Sequence, residues 1–131
     1  MVKILIIDDE AAIRSLLRRR LEDQGFEIIE LEDGRAASTV CEVQCPDIVV
    51  TDIYMRLCDG LETIRELRAT YPALNIIAIS GGGISYKENF LEIAGHMGAS
   101  ATFSKPLNWP EFMSKVNELA ALNGPKVHYA Q

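Results

Sequence analysis

The sequence is poor in cysteine and in positive charge, and each shortage excludes a class of protein. Its three cysteines are an odd number and form no CxxC pair, which favours free thiols in a reducing compartment over a disulfide framework or a zinc site. Thirteen Lys and Arg residues stand against nineteen Asp and Glu residues, which gives a net charge of −6. Binding through nucleic-acid phosphates needs clustered positive charge, so we expect no nucleic-acid partner.

Long apolar runs are missing too, and no stretch approaches the roughly 20 residues of a membrane-spanning helix. The first residues lead directly into a strand pattern and show no cleavable signal pattern. We therefore expect a cytoplasmic protein without a membrane partner. A chain of 131 residues, of which 48% are hydrophobic and 24% charged, is sufficient for one globular domain with one well-filled core.

What the sequence does contain is a regular alternation of strand and helix patterns. The strands are predicted at residues 3–8, 27–31, 48–52, 75–80 and 101–104. The helices are predicted at residues 11–24, 34–43, 61–70, 86–97 and 108–122, the last with Asn108 as its N-cap. Short connections and right-handed crossovers predict an α/β fold with a doubly wound, five-stranded parallel sheet and five helices on its two faces.

Four of the predicted strands end in polar side chains. Asp8 and Asp9 follow the first strand, Asp52 ends the third, Ser80 ends the fourth, and Lys105 follows the fifth. The carboxyl ends of parallel strands lie at one edge of the sheet, which is where open α/β folds bind ligands. Each residue alone has an ordinary explanation as a helix cap or a loop residue. Their joint occurrence at four strand ends favours a functional site.

The chemistry of this set points to a metal ion and a phosphoryl group. Neighbouring carboxylates repel one another unless a cation neutralises them, and Mg2+ is commonly held by one or two carboxylates together with phosphate oxygens. A lysine can contact the phosphoryl group as a point charge, and a serine hydroxyl can donate a hydrogen bond to it. The set is therefore suited to phosphoryl transfer onto a carboxylate.

The chain resembles bacterial response-regulator receiver domains, in particular the single-domain regulators of chemotaxis and sporulation. The resemblance rests on the motifs ILIIDDE, VVTDIYM, DGLETI, AISGGG, GASA and FSKP at proper intervals. It extends over residues 2–123, which we predict to be the receiver domain, with residues 124–131 as a tail. It implies a flavodoxin-like sheet with the strand order 2-1-3-4-5.

The resemblance also implies a role for each site residue in phosphoryl transfer. Asp52 would be the phosphoacceptor, Lys105 would bind the phosphoryl group, and Ser80 would hydrogen-bond it after transfer. The donor would be a phosphohistidine of a sensor histidine kinase or of a histidine phosphotransfer protein. The chain would then be a signalling protein in a two-component system or phosphorelay, not an enzyme acting on other substrates, and it would bind an output protein that the sequence does not identify.

The metal site implied by the resemblance holds Mg2+. Asp9 would be the main carboxylate ligand, and Asp8 would support the ion through water. Asp52 and the backbone carbonyl of Tyr54 would complete the protein ligands.

Several residues depart from the family pattern and are expected to modulate the switch. Arg56 stands where the family usually has proline, and Tyr54 is bulkier than the polar residue that is common there. Thr102 stands where the family commonly has a mobile aromatic ring, and strand alternation places the neighbouring Phe103 in the core. We therefore expect switching to order the glycine-rich loop that begins at Gly81.

Two other functions remain open. A receiver fold could act as an adapter that binds a partner without phosphorylation, which the departures at Thr102 and Arg56 would favour. A phosphatase of the haloacid-dehalogenase type also uses an aspartyl nucleophile and Mg2+, but it needs a second aspartate at position 54, where this chain has Tyr54. A longer native protein is also compatible with the sequence.

Overall fold

The structure is a computed structural model that describes residues 1–55, 60–81 and 87–122, with only the main chain of 87–91. Five strands form one sheet: β1 (Lys3–Ile7), β2 (Glu27–Leu31), β3 (Ile48–Asp52), β4 (Asn75–Ser80) and β5 (Ala101–Ser104). All neighbouring strands pair in parallel, in the order β2-β1-β3-β4-β5. This is the doubly wound, flavodoxin-like order that the sequence predicts.

Five helices connect and cover the strands: α1 (Ala11–Asp23), α2 (Ala37–Gln44), α3 (Gly60–Thr70), α4 (Lys87–Met97) and α5 (Trp109–Leu122). A single 3-10 turn, Gly34–Ala36, precedes α2, so the second predicted helix begins as a tighter turn. The N-cap prediction for the last helix is confirmed, because the amide of Glu111 donates to Oδ1 of Asn108 at 3.1 Å. None of the helices among the described residues is long and apolar enough to span a bilayer.

The sheet separates two apolar layers. Successive residues of a strand point to opposite faces, so Leu5 and Ile7 of β1 join one layer and Ile4 and Ile6 join the other. The first layer is completed by α2, α3 and α4, and the second by α1 and α5. The strand β3 is buried along its whole length between these layers, including the polar Thr51 and Asp52 that follow its apolar residues 48–50.

Two leucines that the helical pattern assigns to apolar faces are exposed. The apolar period of the last helix predicts that it buries Phe112, Val116, Leu119 and Leu122. Leu122 lies in the final described turn of α5 and is 72% exposed, so this prediction is wrong for Leu122. Leu16 belongs to the apolar stripe of α1 but is 40% exposed, and it lines a groove that Pro106 and Trp109 also line. Only the inner part of each apolar helix face packs against the sheet. In α1 this part consists of Leu17 and Leu21, which are buried.

The two cysteines in the described part of the chain are free, as predicted, and Cys58 lies outside it. Cys41 is fully buried in the layer with α2 and α3. Burial raises the pKa of its thiol to about 12, so this thiol stays protonated and unreactive at neutral pH.

Arg68 connects the end of α3 to the turn after α4. Its Nη2 and Nε donate to the carbonyl oxygen of Gly98 at 2.7 and 3.0 Å, and its Nη1 donates to that of Pro72 at 2.7 Å. We expect Arg68→Ala to lower the free energy of unfolding by about 2 kcal/mol, because three hydrogen bonds from a charged donor are lost. Urea unfolding measures the change.

Arg65 provides the control for this prediction. It lies one turn earlier in α3, is exposed, and pairs across the helix surface with Glu62. We expect Arg65→Ala to change the free energy of unfolding by about 0.5 kcal/mol or less, since surface ion pairs contribute little. Equal losses in the two variants would contradict the role of Arg68.

Candidate functional site

The strand ends bring together four of the predicted site residues. Asp52 is the last residue of β3, Ser80 is the last residue of β4, and Asp8 and Lys105 directly follow β1 and β5. The amide of Lys105 donates to the carbonyl oxygen of Ser80 at 2.8 Å, which fixes the start of the Lys105 side chain beside β4. The prediction that these groups meet at one edge of the sheet is confirmed for the described residues.

The ammonium group of Lys105 lies among three carboxylates. Its Nζ is 3.1 Å from Oδ2 of Asp8, 3.4 Å from Oδ2 of Asp52 and 3.5 Å from Oε1 of Glu10. The side chain of Lys105 is 14% exposed, and Asp8 and Asp52 are almost completely buried. One positive charge therefore faces two buried carboxylates and the carboxylate of Glu10, whose side chain is 64% exposed.

This arrangement shifts two pKa values. Burial raises the pKa of Asp52 to about 6; Lys105 opposes the shift, whereas the negative charge of Asp8 adds to it. For Lys105, burial acts to lower the pKa, but the charges of Asp52 and Asp8 outweigh it and raise the pKa. The Asp52 carboxylate is thus less stable as an anion than it would be in water, and a further cation beside it would relieve that cost.

The carboxylates that converge most closely are those of Asp8, Glu10 and Asp52, with one oxygen of each within 4.8 Å of the others. Asp9 is half-buried and does not belong to this group of three. Glu10 was not among the predicted site residues, although it is the third acid of the Asp-Asp-Glu run that marks the first strand end. Three converging carboxylates provide the oxygen ligands that Mg2+ prefers, so the residues present fit this ion.

Ser80 supplies a second sign that the site receives a ligand. Its Oγ is fully buried and, among the residues that the structure describes, it is the one buried side-chain polar atom without a hydrogen-bond partner. Buried hydroxyl groups in proteins are nearly always paired, so an unpaired one beside a charged cluster indicates a bound group or ordered water.

Two residues beside the site also have defined positions. The amide of Tyr54 donates to Oδ1 of Asp52 at 3.2 Å, while the Tyr54 ring is 41% exposed. At Gly81, a Cβ atom would lie 2.8 Å from Cδ of Lys105, so the stem of that lysine passes directly over the glycine. A larger residue at Gly81 would displace the lysine side chain.

The remaining predicted modulating residues are only partly described. Thr102 is exposed on β5, and Phe103 packs edge-on against Phe112 with ring centroids 5.5 Å apart, as expected for a residue that contributes to packing. Arg56 and the glycines that follow Gly81 lie outside the described residues.

Comparison with known proteins places this site in a family. Residues 4–117 match the response regulator receiver domain. The response regulator MprA of Mycolicibacterium vanbaalenii is 34% identical over 125 residues, which are 95% of this chain and 52% of that protein. The alkaline phosphatase synthesis transcriptional regulatory protein PhoP of Bacillus subtilis is 30% identical over 118 residues, 89% of this chain and 48% of that protein. The chain thus spans about half the length of these curated relatives.

Solved structures agree with these sequence matches. The response regulator TrrA of Thermotoga maritima, in complex with Mg2+-BeF, is similar with a TM-score of 0.79 and 31% identity, over 91% of this chain and 99% of that one. A response regulator receiver domain protein of Clostridium thermocellum gives a TM-score of 0.84 with 25% identity, over 93% and 96% of the two chains. By sequence, fold and strand order, the chain belongs to the response regulator receiver domain family.

Proposed function

We propose that this protein is a phosphorylation-dependent signalling receiver that accepts a phosphoryl group on Asp52. The observation that carries the proposal is the contact of the Lys105 ammonium with both Asp52 and Asp8, beside the buried and unpaired hydroxyl of Ser80. A carboxylate in contact with a cation, with an unpaired hydroxyl group at the end of the neighbouring strand, offers a nucleophile together with two groups that can bind phosphoryl oxygens.

We propose that Mg2+ binds at the acidic corner, the segment from Asp8 to Glu10. Asp9 would be the main carboxylate ligand, with Asp52, the carbonyl of Tyr54 and a water held by Asp8. Glu10 adds a further carboxylate within reach of this position. When bound, the ion neutralises the carboxylates and the phosphoryl oxygens that would otherwise repel each other.

The reaction is a transfer between two nucleophiles. A carboxylate oxygen of Asp52 attacks the phosphorus atom of a phosphohistidine, an O–P bond forms, and the N–P bond to the imidazole breaks. Lys105 exchanges its contact with Asp52 for one with a phosphoryl oxygen, so the charge of the group is balanced as it arrives. The hydroxyl of Ser80 then donates a hydrogen bond to the acyl phosphate, which water later hydrolyses.

The donor is proposed to be a sensor histidine kinase or a histidine phosphotransfer protein, as expected for a response regulator. The receiver is proposed to span residues 2–123, to act in the cytoplasm and to bind a separate output protein. We propose no nucleic-acid contact by this chain itself, because its net charge is −6. PhoP, which is about twice as long, is a transcriptional regulator, and this chain aligns with only half of it.

Readout of the phosphorylated state is proposed to begin at Gly81. The backbone there lies under the stem of Lys105, so a lysine that follows the phosphoryl group changes its contact with this segment. Thr102 is exposed and has no aromatic ring to move inward, and Arg56 provides an additional cation after β3. These three positions are the proposed modulators of the switch.

The test is the mass of the intact protein after incubation with acetyl phosphate, with and without Mg2+. We expect a gain of one phosphoryl group that requires Mg2+ and that is lost in Asp52→Asn, because the amide is not a nucleophile. No gain in a folded protein that binds Mg2+ would reject the proposal and favour the phosphorylation-independent adapter.

A further inference from the structure

The carboxyl end of β1 is held in place by a residue that takes no part in the proposed phosphoryl transfer. Arg14 of α1 donates from Nη1 to the carbonyl oxygen of Asp8 at 2.7 Å and from Nε to Oε1 of Glu30 at 3.1 Å. Its side chain is only 14% exposed. The amide of the same residue, Asp8, donates to the carbonyl oxygen of Leu31 at 3.2 Å.

The guanidinium group of Arg14 is itself held in place. Glu30 lies on β2 and accepts hydrogen bonds from both Arg14 and Arg18, and Arg18 is in turn paired with Glu22. The hydrogen bond from Arg18, together with that from Arg14, lowers the pKa of Glu30, so this carboxylate stays charged at neutral pH. A carboxylate that is fixed by two arginines is a rigid support for either of them.

The contact with the Asp8 carbonyl has a direct consequence for Asp9. The carbonyl of Asp8 and the amide of Asp9 belong to one planar peptide unit, so a hydrogen bond that fixes the oxygen also fixes the plane. The orientation of that plane sets the directions in which the two aspartate side chains leave the main chain. The next amide, that of Glu10, donates back to Oδ1 of Asp8 at 2.9 Å, which extends the same constraint through the acidic corner.

We propose that Arg14 is a positioning residue that orients the acidic corner for Mg2+, with Glu30 as the group that holds it. This inference rests on the proposed function, because the metal ion is that of the proposed phosphoryl transfer. Arg14 is not among the residues proposed to bind the ion or the phosphoryl group, and it would act through the peptide unit between Asp8 and Asp9. Groups that orient metal ligands in this way typically change metal affinity by about 10-fold to 100-fold when they are removed.

A role through charge alone would have the opposite sign. Arg14 carries a positive charge, and a positive charge near a cation site weakens the binding of a cation. If Arg14 acted only through its charge, its removal would strengthen Mg2+ binding. A positioning role predicts weaker binding on removal, so the direction of the change distinguishes the two.

The experiment measures the Mg2+ dissociation constant by isothermal titration calorimetry at a temperature well below the unfolding midpoint of each variant. We expect Arg14→Ala to bind Mg2+ about 10-fold more weakly than the wild type. The Mg2+ affinity of Arg14→Lys should lie between those of the wild type and Arg14→Ala, because lysine keeps the charge but lacks the planar guanidinium group that bonds both partners at once. Arg18→Ala leaves the contact of Arg14 with Asp8 intact and removes only one of the two arginines that hold Glu30, so it should weaken Mg2+ binding by less than Arg14→Ala.

Arg68→Ala is the matched structural control. This arginine also donates to main-chain carbonyl groups, but at the far end of α3, so its loss should lower stability and leave Mg2+ affinity unchanged. A second measurement needs no metal: amide hydrogen exchange at Asp9 and Glu10 should be faster in Arg14→Ala than in Arg68→Ala. A purely structural role for Arg14 would make the two variants alike in both measurements.

Equal or tighter Mg2+ binding by Arg14→Ala would overturn the inference, as would an equal loss of affinity in Arg68→Ala. If Arg14→Ala does not fold, Arg14→Lys decides: weaker binding supports the inference and unchanged binding overturns it. If the proposed function is wrong, the wild type gains no phosphoryl group, whatever Mg2+ affinities the variants show. A phosphorylated wild type with unchanged affinity in Arg14→Ala rejects the inference alone.

Discussion

Asp52→Asn is expected to stabilise the metal-free protein at pH 7.5 by about 3 kcal/mol, although it removes the proposed phosphoacceptor. The pKa of Asp52 is raised to about 6 in the folded protein, chiefly by burial, from an ordinary value of 3.8. At pH values between 3.8 and about 6, the folded state binds more protons than the unfolded state, so wild-type stability falls as the pH rises through this range. The neutral amide removes this cost of burying a charge.

Urea unfolding of both proteins from pH 4 to pH 8, without metal, measures the effect. The difference between them should grow as the pH rises from about 4 to about 6 and then stay constant, because above the raised pKa both states of the wild type are deprotonated. Saturating Mg2+ should stabilise the wild type more than Asp52→Asn, since the ion binds the charged site of the native state. A difference that does not change with pH would contradict a buried, charged Asp52.

The sequence was sufficient to predict that the polar residues at the strand ends lie close together, because parallel strands impose a simple geometry. Once Asp52, Ser80 and Lys105 were assigned to strand ends, their proximity followed from the rule that such ends lie at one edge of the sheet. The structure adds the distances, among them the 3.4 Å between Lys105 and Asp52. It also adds the unpaired state of the Ser80 hydroxyl, which depends on every neighbour of that atom and on no local pattern.

Contacts between elements that are distant in sequence were not predictable in the same way. Arg14 meets Glu30 from a helix and a strand that are paired only in the folded protein. In the sequence, no local pattern distinguishes Arg14 from the other arginines of α1. Glu10 was within reach of prediction, because it continues the Asp-Asp run, but its contact with Lys105 requires the side chain to turn back towards the sheet.

Near the ends of helices, the apolar pattern of the sequence does not predict which residues are buried in the core. The apolar period of α5 continues to Leu122, but this leucine lies in the last described turn of the helix and is 72% exposed. The same period correctly assigned Phe112, Val116 and Leu119 to the core. A periodic pattern therefore predicts which face of a helix is apolar, whereas the extent of the opposing layer decides how much of that face is buried.

Gly60→Ala is expected to have the largest effect on stability of any substitution proposed for this protein. Gly60 is the first residue of α3, and its amide donates to the carbonyl oxygen of Ile53 at 3.0 Å. A Cβ atom at this position would lie 2.1 Å from the carbonyl oxygen of Asp52 and 2.7 Å from Cα of Ile53. These are main-chain atoms at the end of a buried strand, so no side chain can rotate to make room.

We expect Gly60→Ala to lower the free energy of unfolding by about 3 kcal/mol or more, measured by urea unfolding. The clash lies at the main chain of Asp52, the proposed phosphoacceptor, so the molecules that do fold should also be phosphorylated more slowly by acetyl phosphate. Gly95→Ala is the matched control, because Gly95 lies within the exposed surface of α4 and a Cβ atom there meets nothing within 4 Å. The same substitution should stabilise that helix by about 0.5 to 1 kcal/mol. If the two substitutions change the free energy of unfolding in opposite directions, close packing against β3, and not helix propensity, requires glycine at position 60. A stable Gly60→Ala with normal phosphorylation would contradict this and would show that the strand end can move without loss of function.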